Sequence, residues 1–405
     1  MKFLIPFFIL PLFLFAQPNN DTLFLQNIVS QLTADSILGR QTGSDGERVS
    51  ALYLSDELKK IGVKPFYRDF HQPFVFDFVK KRKSNTQKVV IEGVNVIGYI
   101  DNQKDRTIVL GAHYDHLGVN EYDQARSFKD EKVYYPGADD NASGVALLLK
   151  LSKWLTKHKK DLNANYIIAF FSAEELGLQG SKHFVKTAKK SYIKPSVMLN
   201  FDMVGRLDDK QKLIVEGVGS APSFDSLLTL TNHSFSFNLH QNKSGIGNSD
   251  YTSFYLDSIP ALSFTTGSHS DYHTKNDTKE KLNYQGILAI ENFIVSFLSH
   301  LELSEIEFKE TEVQQTRRRS DLKVSLGIMP GYGGDNGLQI DAVSKGKTAA
   351  IYGLKKDDLI IGIDDCNIES IYDYMNCLKK YDIGDQAYIS ILRKNDPLKI
   401  KVEFK

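Results

Sequence analysis

Apolar residues recur along this chain with two different periods. In the stretch Asp45–Ile61 they stand at Val49, Leu52, Leu58 and Ile61, a helical spacing ended by Gly62, which predicts an amphipathic helix packed by one face. Short continuous apolar runs at residues 89–100, 107–112, 166–171, 197–203, 213–215 and 259–264 predict buried strands. Helical patterns over 143–157 and 176–189 separate several of these runs, the alternation of a mixed or parallel α/β sheet, and a last helix over 284–303 closes the unit. From 304 to 321 the periodicity gives way to charge, glutamates followed by Arg317, Arg318 and Arg319, which predicts a solvated linker. Beyond it, short strands with glycine turns at 337–343, 359–363, 387–392 and 398–402 and one helix over 371–380 predict a small α+β unit. The expected organisation is therefore an α/β domain over 17–303, a linker over 304–321 and a second domain over 322–405.

The first residues follow neither period. Lys2 precedes an apolar run from Phe3 to Phe15 and then Ala16-Gln17-Pro18, the pattern of a secretory signal peptide over 1–16. The run is about 13 residues, short of the roughly 18–20 a spanning helix needs, and Pro6 and Pro11 interrupt it, so no stable membrane anchor is expected. This predicts an exported protein, periplasmic or secreted. Of 405 residues, 41% are hydrophobic and 25% charged, as folded domains require. Fifty basic residues balance fifty acidic ones, so no global field draws the chain to nucleic acid. Cys366 and Cys377 are the two cysteines; no disulfide framework underlies the fold, and one bridge between them is open.

Candidate chemistry gathers at the carboxyl ends of the predicted strands, where open α/β sheets place their sites. His113 ends the run 107–112, and Asp115 lies two residues on, positioned as the acceptor that a metal-bound imidazole needs for its second nitrogen. Gly137-Ala-Asp-Asp-Asn-Ala-Ser-Gly144 puts two adjacent carboxylates at a helix start, where they repel each other unless a cation screens them; helix capping by Asp140 or Asn141 is the competing explanation. Ser172-Ala-Glu-Glu-Leu-Gly177 offers adjacent glutamates that point apart, one able to bind metal and the other to act as base. Asp202 lies in an apolar run and needs a partner, because a buried unpaired charge costs several kcal/mol; His273 stands in Asp271-Tyr-His-Thr. His113, Asp140, Glu175, Asp202 and His273 form an oxygen- and nitrogen-rich set without thiolate, suited to two zinc ions sharing one carboxylate. His116 carries no assignment at this level.

The segments His113-Tyr-Asp, Gly137 to Gly144, Ser172 to Gly177, Asn200-Phe-Asp-Met and Asp271-Tyr-His, in this order, resemble the successive motifs of the zinc exopeptidase family of bacterial leucyl aminopeptidases and glutamate carboxypeptidase, from about Gly39-Arg40 to about residue 300. The resemblance implies a mixed, largely parallel sheet flanked by helices and peptide or protein substrates. It also implies two Zn2+ per chain, one bound by His113 and Asp202, the other by Glu175 and His273, with Asp140 bridging. A metal-bound hydroxide would be the nucleophile, Glu174 the general base, and Tyr272 a donor to the oxyanion. Asp250 falls near the substrate cleft, and 117–136 is a longer loop than the family pattern. Two alternatives stay open: a glutaminyl cyclase-like enzyme with a single zinc, and a binding relative without catalysis. The tail, with Ser325-Leu-Gly-Ile-Met329 and Gly353-Leu-Lys-Lys-Asp-Asp-Leu359, is similar to a PDZ domain whose Leu326–Gly327–Ile328 loop would receive a peptide carboxylate. Asp357 departs from that pattern, standing where such domains carry glycine.

Overall fold

The computed structural model describes residues 20–82, 85–121, 133–189, 193–302, 305–311, 322–330, 337–343, 346–369 and 371–405. The expected signal peptide, part of the 117–136 loop and most of the linker lie outside the described residues. No described helix is long and apolar enough to cross a membrane.

Four parallel strands form the centre of the first sheet: β4 (Thr107–His113), β5 (Asn165–Phe171), β6 (Val197–Phe201) and β9 (Ala261–Thr265), in the order β5-β4-β6-β9. All their residues are buried, as continuous Val, Ile, Leu and Phe runs require when helices cover both faces. Antiparallel strands extend this centre on both sides. On one side β3 (Asn85–Ile100) pairs with β5 and carries β1 (Lys64–Pro65) and β2 (His71–Arg82); on the other β7 (Lys212–Glu216) pairs with β9 and, in parallel, with β8 (Asn238–Gln241). The main core unites this sheet with helices α1 (Asn20–Leu32), α2 (Asp45–Ile61), α3 (Gly144–Lys157), α5 (Phe224–Asn232) and α7 (Tyr284–Glu302), while α4 (Gln179–Ala188) and α6 (Tyr251–Tyr255) pack on the opposite face.

Helix α2 has the predicted bounds, with Ser44 capping its start through Glu47 N–H and Gly62 ending it at φ 92°. Its buried face differs from the sequence expectation. Val49 and Leu52 are more than half exposed, and Ala51, Leu54 and Leu58 face the core, with Ser50 and Ser55 returning their hydroxyls to the helix backbone. Helix α4 begins three residues later than expected, because Gly177 and Leu178 adopt positive φ and turn the chain first.

The β2–β3 hairpin forms a long arm. Phe74, Phe76 and Phe78 alternate onto one face opposite Gly93, Ile91 and Val89, and the group packs on Ala173 and Leu176. Gly93 makes this possible, since a Cβ there would lie 2.6 Å from the Phe74 ring.

The chain past α7 is not free where it is described: Lys309 N–H donates to Ser220 O, and Thr311 exchanges hydrogen bonds with Tyr255 OH. The second core lies in an antiparallel sheet of β10 (Ile328–Pro330), β11 (Leu338–Val343), β12 (Leu359–Ile363), β14 (Gln386–Arg393) and β15 (Asp396–Glu403), with β13 (Cys366–Asn367) on β12. Helices α8 (Thr348–Ile351) and α9 (Ile371–Leu378) complete it, and a disulfide joins Cys366 to Cys377. Asp357 takes φ 69° in its turn, so the left-handed geometry survives without glycine; beside it the buried Asp358 accepts two 2.7 Å bonds from Arg393.

Candidate metal centre

Each central parallel strand delivers one part of the site at its carboxyl end. His113 is the last residue of β4; Glu174 and Glu175 follow β5 by three and four residues; Asp202 follows β6; the loop after β9 carries Tyr272 and His273. The ends are level because β4 and β5 pair His113 with Phe171, and β6 and β9 pair Phe201 with Phe264. Asp140 enters from the turn ahead of α3, where Gly137 has φ 58° and a Cβ would strike both Asp140 O and the His116 ring. The apolar run expected to hold Asp202 ends as a strand one residue earlier, since Met203 at φ 57° turns the chain.

His113 Nε2 lies 3.3 Å from Asp140 Oδ1 and 3.4 Å from Asp202 Oδ1. His273 Nε2 lies 3.1 Å from Asp140 Oδ2 and 3.1 Å from Glu175 Oε2. Two ligands about 2.0–2.1 Å from one tetrahedral ion sit about 3.3 Å apart, so both spacings are those of a shared ion. Asp140 thus turns one oxygen to each imidazole, and among the described residues its buried Oδ2 makes no hydrogen bond in spite of the neighbouring ring nitrogen. A divalent cation satisfies such an atom. His113, Asp140 and Asp202 form one group able to hold an ion, and His116, Asp140 and Glu175 another.

Electrostatics point the same way. Asp115, Asp140, Glu174, Glu175, Asp202 and Asp250 all feel one another or the same neighbours, and Arg40 is a permanent cation in the field of Asp140, Asp115 and Glu175. Burial alone would raise Asp140, yet the imidazoles of His116, His113 and His273 hold it well below the ordinary carboxylate range. Burial also opposes ionisation of Glu175, but His273 overcomes it and brings that carboxyl to about 2. Glu174 goes the other way: burial, helped by Glu175, Asp202 and Asp250, raises it well above the ordinary value. Burial likewise pushes Asp250 up to about 7.

The surrounding contacts hold these groups in place. Asp115 Oδ2 accepts from Thr42 Oγ1 at 3.0 Å and Oδ1 from Glu174 N–H at 3.2 Å. Asp115 meets His113 Nδ1 with two atoms, its main-chain O at 3.2 Å and its carboxylate Oδ1 at 3.6 Å. Tyr272 stacks on His273 with ring centroids 3.8 Å apart. Asp250 is fully buried at the foot of α6.

Sequence reasoning left several residues of the site without a role. Arg40 is wholly buried and donates to four carbonyls, those of Leu32, Tyr114, Pro136 and Gly137, at 2.7–2.9 Å. Asp139 turns away from the centre, accepting from Gly205 N–H at 2.6 Å and standing 3.1 Å from His269 Nε2. Asp277 Oδ2 accepts the amides of Asp139 and Asp140 at 2.9 and 3.0 Å, and Arg206 ties Asp277 to Asp271 beside Tyr272. His116 is buried beside Glu175. The second histidine three positions after His113 was its signal; the others became visible only with their partners.

Comparison with known proteins bears on the family and the fold. Residues 95–298 match the model of peptidase family M28, and residues 312–404 match a PDZ domain. A probable zinc metalloprotease of Pyrenophora teres f. teres is 28% identical over 207 residues, covering 46% of this chain and 42% of that protein. A probable leucine aminopeptidase of Arthroderma otae is 25% identical over 237 residues, 52% of this chain and 57% of that one, so the chain spans about half the length of these curated relatives. The glutaminyl cyclase of Bacteroides thetaiotaomicron shares the fold, with a TM-score of 0.56, 17% identity, and coverage of 69% of this chain and 98% of that one. The family match takes in 204 of the 405 residues, and the chain accordingly belongs to peptidase family M28, with a PDZ domain at its C-terminal end.

Proposed function

We propose that the protein is an exported zinc-dependent aminopeptidase that holds two metal ions and removes residues from the N-termini of peptides. The convergence of His113, Asp140, Glu175, Asp202 and His273 around a carboxylate that faces both imidazoles carries this reading. His113 and Asp202 would hold one zinc and Glu175 and His273 the other, with Asp140 between them. Zinc there supplies Lewis acidity, making water acidic and polarising the scissile carbonyl.

The remaining work falls to side chains of the chain. Glu174 is held by its backbone bond to Asp115, and its raised pKa suits a group that takes a proton from water and returns it to the leaving amine. Tyr272, stacked on His273, would aim its hydroxyl at the developing oxyanion. The free amine of the substrate would meet the carboxylates beside the metals. In the PDZ domain the loop Leu326–Gly327–Ile328 would receive a peptide carboxylate; Gly327 N–H now donates to Ser325 Oγ at 3.0 Å, a contact that ligand would replace. Removal of residues 1–16 would leave Gln17 at the mature N-terminus, which sequencing of protein recovered outside the cytoplasm tests.

Aminoacyl-nitroanilides assayed with and without chelator, alongside metal counting, test the activity. The expected result is chelator-sensitive release of the first residue with two zinc ions per chain. One zinc per chain with cyclisation of N-terminal glutamine would favour the glutaminyl cyclase alternative, whose fold this chain shares.

A further inference from the structure

We infer that His116 is a positioning residue for Glu175: its Nδ1–H donates to Oε1 and so turns Oε2 toward His273 and the second metal position. The inference rests on the two-metal reading above.

His116 is 1% exposed, and its Nδ1 lies 3.0 Å from Glu175 Oε1 and 3.6 Å from Asp140 Oδ2. The ring has little room to swing. It meets His273 edge-on with centroids 5.7 Å apart, Gly137 lies so close that a Cβ would stand 2.5 Å from it, and its own backbone N–H donates to Arg40 O. Its Nε2 is buried and makes no hydrogen bond among the described residues.

That asymmetry selects the tautomer. With the proton on Nδ1, the ring donates to a carboxylate, and the unmatched atom is a lone pair. With the proton on Nε2, a lone pair would face the carboxylates and a buried N–H would have no acceptor among the described residues, the costlier of the two arrangements. The Nδ1–H form is therefore the favoured one, and a nitrogen carrying that proton is a donor to Glu175 rather than a metal ligand.

The consequence falls on Glu175. One of its oxygens faces His116 at 3.0 Å, the other His273 at 3.1 Å, so the carboxylate presents a single oxygen to the metal position instead of both. A carboxylate held in this way reaches the ion already oriented, which is the usual service of partners that hydrogen-bond to metal ligands.

Two replacements of His116 in the full chain test this. His116→Asn keeps an N–H donor near the place of Nδ1 without the imidazole; His116→Ala removes the donor. Zinc content by mass spectrometry, zinc affinity by competition with a chromophoric chelator, and melting temperature as a control for folding are measured on both. The wild type is expected to bind two ions, the Asn variant to stay within about threefold of its affinity, and the Ala variant to bind one of the two ions, the one Glu175 would hold, about 10–100-fold less tightly. His116→Leu fills the vacated space and should match Ala if that variant folds poorly. Loss in the Asn variant equal to that in Ala, or wild-type affinity in both Ala and Leu, would overturn the inference while leaving the two-metal reading in place. A wild-type chain that binds fewer than two ions would overturn that reading and this inference with it.

Discussion

At the scale of single residues, the adjacent carboxyls Glu174 and Glu175 show how position divides labour. They are neighbours in sequence, yet burial and nearby negative charge raise Glu174 while His273 lowers Glu175. The first suits proton transfer and the second metal binding. On the proposed two-metal reading, Glu174→Gln should therefore keep its zinc content and lose kcat by about 10²–10⁴-fold, checked by metal analysis beside steady-state kinetics. Unchanged turnover in that variant would remove Glu174 from the reaction. The pair Asp139 and Asp140 teaches the complementary lesson. Their adjacency in the sequence announced unusual electrostatics, but which of the two faces the histidines depends on Gly205 and His269, more than sixty residues away in the chain. The motif residues were legible because hydrolytic chemistry limits which side chains serve. Arg40 and Asp277 were not, because their roles lie in partners that only the folded chain supplies.

At the scale of elements, the buried strands were the most legible part, since strands covered on both faces must be apolar throughout. Helix α2 was legible in extent and misread in facing: Ala51 and two serines satisfied through their own backbone replace the larger residues that hydropathy alone favours. Strand β2 was not anticipated because it places Phe74, Phe76 and Phe78 on one face and Val75 and Asp77 on the other, a pattern diluted by Pro73 and the lysines that follow. Loops, too, are held by specific chemistry. The Arg40 guanidinium satisfies carbonyls from α1, from the stretch after β4 and from the turn before Asp140, and burial lowers its pKa only to about 10, so it stays charged at neutral pH. Lysine cannot reproduce that planar fork. Arg40→Lys should lower the stability of the first domain by about 3 kcal/mol or more, since each buried carbonyl left unpaired costs about 1–3 kcal/mol. Denaturant titration measures the loss, and a stability equal to wild type would show that the loops hold without it.

At the scale of the whole molecule, the main core of the first domain and the core of the PDZ domain are separate clusters, and among the described residues the candidate metal groups belong to the first domain. Zinc should therefore act on one unfolding transition and not the other. Calorimetry with excess zinc against chelator is expected to raise the melting of the first domain, with about 2.7 kcal/mol gained at a hundredfold excess over Kd, and to leave the PDZ domain where it was. Equal shifts in both transitions would mean that the domains melt as one unit. The hairpin arm has a reach of a different kind. Its Phe74 rests over Gly93 and packs with Ala173 and Leu176, the residues that bracket the two glutamates, and Ala173 holds φ 56°. A single methyl added at Gly93 would thus press through an aromatic ring on the turn that carries Glu174 and Glu175, so that one control of the proposed activity would sit on a strand about eighty positions upstream of Glu174.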